Sequence, residues 1–130
     1  TRSPTVTGVQ TCALPICPFH TSFMKPAGDA LAQKFRAIPF NEPRIPVLFN
    51  TLGDVRPEGV SIPELLEKQV QSPVYLEETI RKMADLGVDT FVEIGPGKAL
   101  SGFVKKTLRG TKPLRVETTD DIEALKTALA

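Results

Sequence analysis

The 130-residue chain has no tryptophan, one tyrosine, two cysteines and one histidine. Each scarcity excludes something. Cys12 and Cys17 both lie near the start, whereas a disulfide framework would spread its cysteines through the fold, so nothing points to an oxidising compartment. A Cys-x4-Cys pair with only His20 nearby is too poor in ligands for a structural zinc site, and no metal is expected. Neither charge sign dominates: 16 Lys and Arg face 15 Asp and Glu, for a net charge of +1. That balance argues against the basic face of a nucleic-acid binder. No apolar run approaches the roughly 20 residues of a membrane span, so no membrane partner is expected. Nucleotide-binding glycine loops are missing too. Gly95-Pro96-Gly97 fits neither the G-x-G-x-x-G nor the G-x-x-x-x-G-K-[ST] pattern.

What is present reads as one modest α/β domain. Leu31, Phe35 and Ile38 recur at helical spacing between Pro26 and Pro39. Val47-Leu48-Phe49-Asn50 is a short apolar run expected to be a buried strand, and residues 52–60, with Gly53, Pro57 and Gly59, are expected to be a surface loop. Ser61 followed by Glu64 is a capping box opening a helix whose apolar face is Ile62, Leu65, Leu66 and Val70. Ser72-Pro73 is expected to cap and start the next helix, with Leu76, Ile80, Met83 and Ala84 inward and Gly87 ending it. Thr90 to Ile94 reads as a strand. A helix with Leu100, Phe103, Val104 and Leu108 on one face follows, then a strand from Leu114 to Glu117. Strand, helix and strand at this spacing imply a parallel pair. Asp120 or Asp121 is expected to cap a last helix with Ile122, Leu125 and Leu129 inward.

The first residues stand apart. Val6 to Ile16 resemble the in-frame translation of a sequencing-library adapter. Residues 1–16 are therefore expected to be a non-native, disordered segment, and 17–130 the domain that carries function.

Histidine is the one side chain that exchanges protons near neutrality at its ordinary pKa, so the single histidine is the first candidate for chemistry. It sits in Phe19-His20-Thr21-Ser22-Phe23-Met24-Lys25-Pro26. Further on come Gln69-Val70-Gln71-Ser72-Pro73-Val74 and Glu93-Ile94-Gly95-Pro96-Gly97-Lys98-Ala99-Leu100-Ser101-Gly102. These three segments together resemble the C-terminal part of bacterial malonyl-CoA:acyl-carrier-protein transacylases. The resemblance covers residues 18–130. It implies the C-terminal portion of an α/β-hydrolase-like large subdomain, with a short parallel sheet flanked by helices and without the family's ferredoxin-like subdomain. It implies that His20 is the general base of a serine–histidine dyad. It further implies that the main-chain carbonyl of Gln69 orients His20, in place of the carboxylate of the usual triad. Phe19 corresponds to a position that is phenylalanine in malonyl-selective polyketide acyltransferases and serine in methylmalonyl-selective ones, which implies a substrate-binding role in acyl selectivity. Gly95-Pro96-Gly97 is expected to be architectural, with a cleft-wall position.

The implied reaction is transfer of malonyl from malonyl-CoA to the phosphopantetheine thiol of acyl carrier protein, in the cytoplasm, for fatty-acid synthesis. The coenzyme A thioester and acyl carrier protein are its partners, and no cofactor is needed. The family's nucleophile sits in a G-x-S-x-G elbow. None of Ser3, Ser22, Ser61, Ser72 and Ser101 has glycine two residues before and two after, so the chain is expected to carry the base without its nucleophile and to be inactive alone. Two alternatives remain open at this point: an acyltransferase fragment of a polyketide synthase, and a non-enzymatic α/β binding module in which His20 is structural.

Overall fold

The computed structural model describes residues 18–129. The expectations for residues 1–16 and for Cys12 and Cys17 lie outside them. The described residues form two compact units, one through Thr79 and one from Ile80.

In the first unit a 3-10 turn, Ser22–Met24, runs straight into α1 (Lys25–Phe35). Pro26 fits the first turn, where its missing N–H removes no helical bond. The helix is shorter than the sequence pattern expects. Pro39 disfavours helical backbone at the residue before it. The chain tightens accordingly, with Ala37 N–H donating to the Lys34 carbonyl and Ile38 N–H to that of Phe35. Ile38 is left exposed rather than continuing the inward stripe. Beyond the proline the chain turns back, and Phe40 meets Phe35 edge to face with ring centroids 5.4 Å apart.

β1 (Leu48–Phe49) is a strand as expected, with Phe49 buried. The segment read as loop contains its partner. β2 (Asp54–Val55) pairs antiparallel with β1, Leu48 opposite Val55 and Phe49 opposite Asp54. Two-residue strands carry no periodicity, so nothing in the pattern marks β2. The turn between them closes where Leu52 N–H and Gly53 N–H both donate to the Phe49 carbonyl, each at 2.9 Å.

α2 (Ile62–Gln69) starts where the capping box places it, with Ser61 Oγ accepting from Glu64 N–H. The Glu64 side chain accepts from Lys68 Nζ one turn on. Leu65 is almost fully buried, 2 % exposed. α1 packs on α2 at Gly28, where an added Cβ would lie 2.6 Å from Gln71 Nε2. Glycine inside a helix costs up to about 1 kcal/mol relative to alanine, and the atom an alanine would strike here is the movable end of the Gln71 side chain.

α3 (Leu76–Asp85) begins three residues later than Ser72-Pro73 suggests. Tyr75 N–H is committed to the Asn50 carbonyl at 2.8 Å, which holds the segment before it in a non-helical course. The Tyr75 carbonyl then accepts from both the N–H and the hydroxyl of Thr79.

The second unit is a parallel β-α-β arrangement, as the strand, helix and strand spacing implies. β3 (Val92–Ile94) and β4 (Leu114–Val116) pair in parallel, with Val92, Glu93 and Ile94 opposite Leu114, Arg115 and Val116. α4 (Ala99–Thr107) connects them. Its buried face is Ser101 and Val104, whereas Leu100, expected inward, is half exposed. α5 (Thr119–Leu129) follows β4 and contacts it. Ile122 and Leu129, also expected inward, are largely exposed, and Leu125 is the half-covered position. The cap of α5 differs in detail from expectation. Asp121 acts from inside the first turn and reaches back to accept from the N–H groups of Glu117 and Thr118 and from the Thr118 hydroxyl. Those three donors hold its carboxyl below the usual aspartate range. No helix among the described residues is long and apolar enough to cross a membrane.

Candidate active-site histidine

His20 lies at the third position of a four-residue turn, Pro18 to Thr21, with φ of +63°. It is the one described non-glycine residue with positive φ. Such backbone costs on the order of 1–3 kcal/mol and persists only where the surroundings hold it. Here they do so through consecutive carbonyls. The His20 N–H donates to the Val70 carbonyl at 2.9 Å. Its Nδ1 lies 2.8 Å from the Gln69 carbonyl oxygen. A carbonyl only accepts, so this contact requires the proton on Nδ1 and leaves Nε2 as the nitrogen with a free lone pair.

Both acceptors exist because α2 stops there. Gln69 is its last residue and Val70 its C-cap. The last carbonyls of a helix have no intrahelical donor and carry the negative end of the helix dipole. They therefore fix the imidazole through Nδ1 and the backbone through its amide. The bond uses the main chain of Gln69, so its side chain is not required. The chain from Ser61 to Val70 thus converts a capping box at one end of α2 into a pair of acceptors at the other.

Phe19 is the second residue of this turn and is 52 % exposed. Phe23, one turn along the 3-10 segment, is 82 % exposed. The apolar surface flanking His20 is therefore open.

Gly95-Pro96-Gly97 belongs to the second unit. Gly95 N–H donates to the Val116 carbonyl, closing the turn over the end of β4. The feature that sequence reasoning missed there is Glu93. Its carboxylate crosses the glycine turn to the start of α4 and accepts from Leu100 N–H at 3.1 Å, from Ser101 N–H at 2.9 Å and from the Ser101 hydroxyl. The Ser101 hydroxyl is the main reason its carboxyl is held below the usual glutamate range, with the Ser101 and Leu100 amides adding to it. A cap seven or eight residues upstream has no local signature, unlike the three-residue spacing of a capping box. Glu93 also explains why Ser101 rather than Leu100 is the buried residue in that turn.

The parallel β-α-β unit and the histidine clamped on a helix C-terminus define the chain as an α/β segment of the hydrolase-like acyltransferase class. No family model matches the chain. A malonyl CoA-acyl carrier protein transacylase from Bacillus subtilis is 44% identical over 106 residues, covering 82% of this chain and 33% of that protein. The solved malonyl CoA-acyl carrier protein transacylase from Clostridium perfringens is 43% identical, with a TM-score of 0.80 over 86% of this chain and 35% of that one. A malonyl-transacylase solved in complex with a type II polyketide acyl-carrier protein is 33% identical, with a TM-score of 0.75 over 85% of this chain and 36% of that one. Over the matched segment the chain is similar to malonyl-CoA:acyl-carrier-protein transacylases. It spans about a third of the length of the relatives it matches.

Proposed function

We propose that this chain is the histidine-bearing segment of an enzyme that transfers malonyl from malonyl-CoA to the phosphopantetheine thiol of acyl carrier protein in fatty-acid biosynthesis. The contact between His20 Nδ1 and the Gln69 carbonyl carries the reading. With Nδ1–H committed, Nε2 takes the proton of a serine as that serine attacks the thioester. The imidazolium returns the proton to the departing coenzyme A thiol. The second half-reaction repeats the cycle, with Nε2 deprotonating the carrier's thiol. The serine comes from the part of the enzyme outside the matched third. The thioester is already activated, so the reaction needs no metal or organic cofactor, and the place of work is the cytoplasm.

Phe19 is the residue we assign to acyl selectivity, its ring narrowing the pocket beside His20 against a branching methyl. Residues 1–16 we regard as dispensable and 17–130 as the functional domain. The partner, acyl carrier protein, is supported by the structural neighbour solved in complex with one. That neighbour's polyketide carrier also keeps the second reading, a polyketide-synthase acyltransferase fragment, within the same chemistry.

The test is a chimera in which residues 18–129 replace the matching third of the Bacillus subtilis relative. It should move radiolabelled malonyl from coenzyme A to acyl carrier protein, while the 130-residue chain alone takes up none. A chimera that folds but transfers nothing contradicts the proposal, as does a stoichiometric malonyl adduct on the chain alone.

A further inference from the structure

The left-handed backbone at His20 raises the question of what keeps it there. Two holds come from the end of α2, through the Val70 and Gln69 carbonyls. A third is local. The Thr21 hydroxyl donates to the Pro18 carbonyl at 2.6 Å, closing the turn around Phe19 and His20. In most four-residue turns the closing donor is the backbone N–H of the fourth residue. Here the hydroxyl of the fourth residue also donates to that carbonyl and reinforces the closure, as serine and threonine do in hydroxyl-closed turns. The backbone of Thr21 is extended, φ −131° and ψ 165°, and its own carbonyl accepts from Met24 N–H at 3.0 Å to begin the 3-10 turn. Thr21 is thus fixed on both sides of its Cα: the hydroxyl ties it back to Pro18 and the carbonyl ties it forward into the segment that becomes α1.

We propose that Thr21 is a positioning residue whose hydroxyl holds His20 in the left-handed conformation that keeps Nδ1 on the Gln69 carbonyl and leaves Nε2 free. This rests on the reading of His20 as a general base. A third position with positive φ is one where glycine or asparagine is usual. A valine at position 21 removes the hydroxyl tie to the Pro18 carbonyl and weakens the closure of the turn, and the backbone relaxes toward negative φ. Relaxation at Cα swings the imidazole away from its acceptor. The proton on Nδ1 then loses its partner, and the neutral ring becomes free to carry its proton on either nitrogen. The hydroxyl sits in an exposed turn, so its removal acts on the histidine's setting rather than on the buried residues of the unit.

His20 is the only histidine in the chain, so its ring nitrogens are read without ambiguity in a nitrogen-15 spectrum of the full 130-residue protein. At a pH where the ring is neutral, the wild type should show the Nδ1–H tautomer as the major species. Thr21→Val, which keeps the shape and removes the donor, should make the Nε2–H tautomer the major one, while its far-ultraviolet circular dichroism stays that of the wild type. Thr21→Ser should restore the wild-type ratio. A Thr21→Val protein that folds and keeps the wild-type ratio overturns the proposal, and so does a Thr21→Ser protein that behaves like Thr21→Val. Should Thr21→Val not fold, the wild type decides the matter. Three-bond couplings should fix Thr21 χ1 in the single rotamer that points Oγ1 at Pro18, and rotamer averaging overturns the proposal. A wild type that already carries its proton on Nε2 contradicts the base reading itself, separately from Thr21.

Discussion

Gly53 and Gly59 offer a controlled comparison of what a methyl group costs in two turns of the same unit. Both have left-handed backbone, φ +66° and +80°. Their surroundings differ. A Cβ added at Gly53 would lie 2.7 Å from Glu78 Cβ and 3.2 Å from Tyr75 Cβ, whereas one added at Gly59 would meet nothing within 4 Å. Left-handed backbone costs an L-residue about 1–2 kcal/mol. Alanine regains about 0.4–1 kcal/mol by restricting the unfolded chain. Gly59→Ala should therefore cost about 1 kcal/mol net. Gly53→Ala carries the same terms plus the crowding. The atoms it strikes are both Cβ carbons fixed to the backbone, which cannot swing aside, and overpacking of that kind adds about 1–3 kcal/mol. The expected total is about 2–4 kcal/mol. Tyr75 is the single tyrosine, there is no tryptophan, and the residue touches the site, so its fluorescence in a urea titration reports this unit directly. Equal losses for the two variants, within about 0.5 kcal/mol, would refute the steric argument and leave only backbone strain.

Other expectations follow from the same structure. Leu65→Ala removes the most deeply buried side chain of α2 and should cost about 2–5 kcal/mol in the same titration; less than 1 kcal/mol would mean that Leu65 is not a core residue. Glu93→Gln should narrow the thermal stability difference from wild type as the solution is acidified. The folded-state pKa of Glu93 lies below its unfolded value, so its contribution is full above the ordinary glutamate range and disappears as pH falls through the lowered folded pKa. A difference in melting temperature that is flat from neutral pH down through that range contradicts the capping role. In the chimera, Phe19→Ser should raise the methylmalonyl-to-malonyl ratio of kcat/KM by about 10-fold, one methyl group's worth of discrimination. An unchanged ratio with both rates lowered makes Phe19 a packing residue.

How much of this was legible in the sequence depends on the range of the interactions involved. The capping box at Ser61 and Glu64 and the parallel pairing of β3 with β4 were readable because each rests on contacts a few residues apart or on one helical crossover. The resemblance placed His20 near the end of a helix 49 residues away, and the structure brings the two together. What composition and periodicity did not reveal is long-range or backbone-borne. Nothing local predicts that His20 is left-handed, that its amide joins Val70, or that Glu93 caps a helix across a glycine turn. Leu100 and Ile38 fitted their helical stripes and are exposed all the same, the first because Glu93 sets the rotation of α4 and the second because Pro39 ends the helix early.

The central claim is that His20 is the base for both half-reactions. The most direct measurement is the rate of malonyl transfer by the chimera with and without His20→Ala, taken separately from coenzyme A to enzyme and from enzyme to acyl carrier protein. A positioned general base contributes about 10²–10⁴-fold, so both half-reactions should slow by that factor while the KM for malonyl-CoA changes little. Two half-reactions within a few-fold of the unsubstituted chimera would contradict the account.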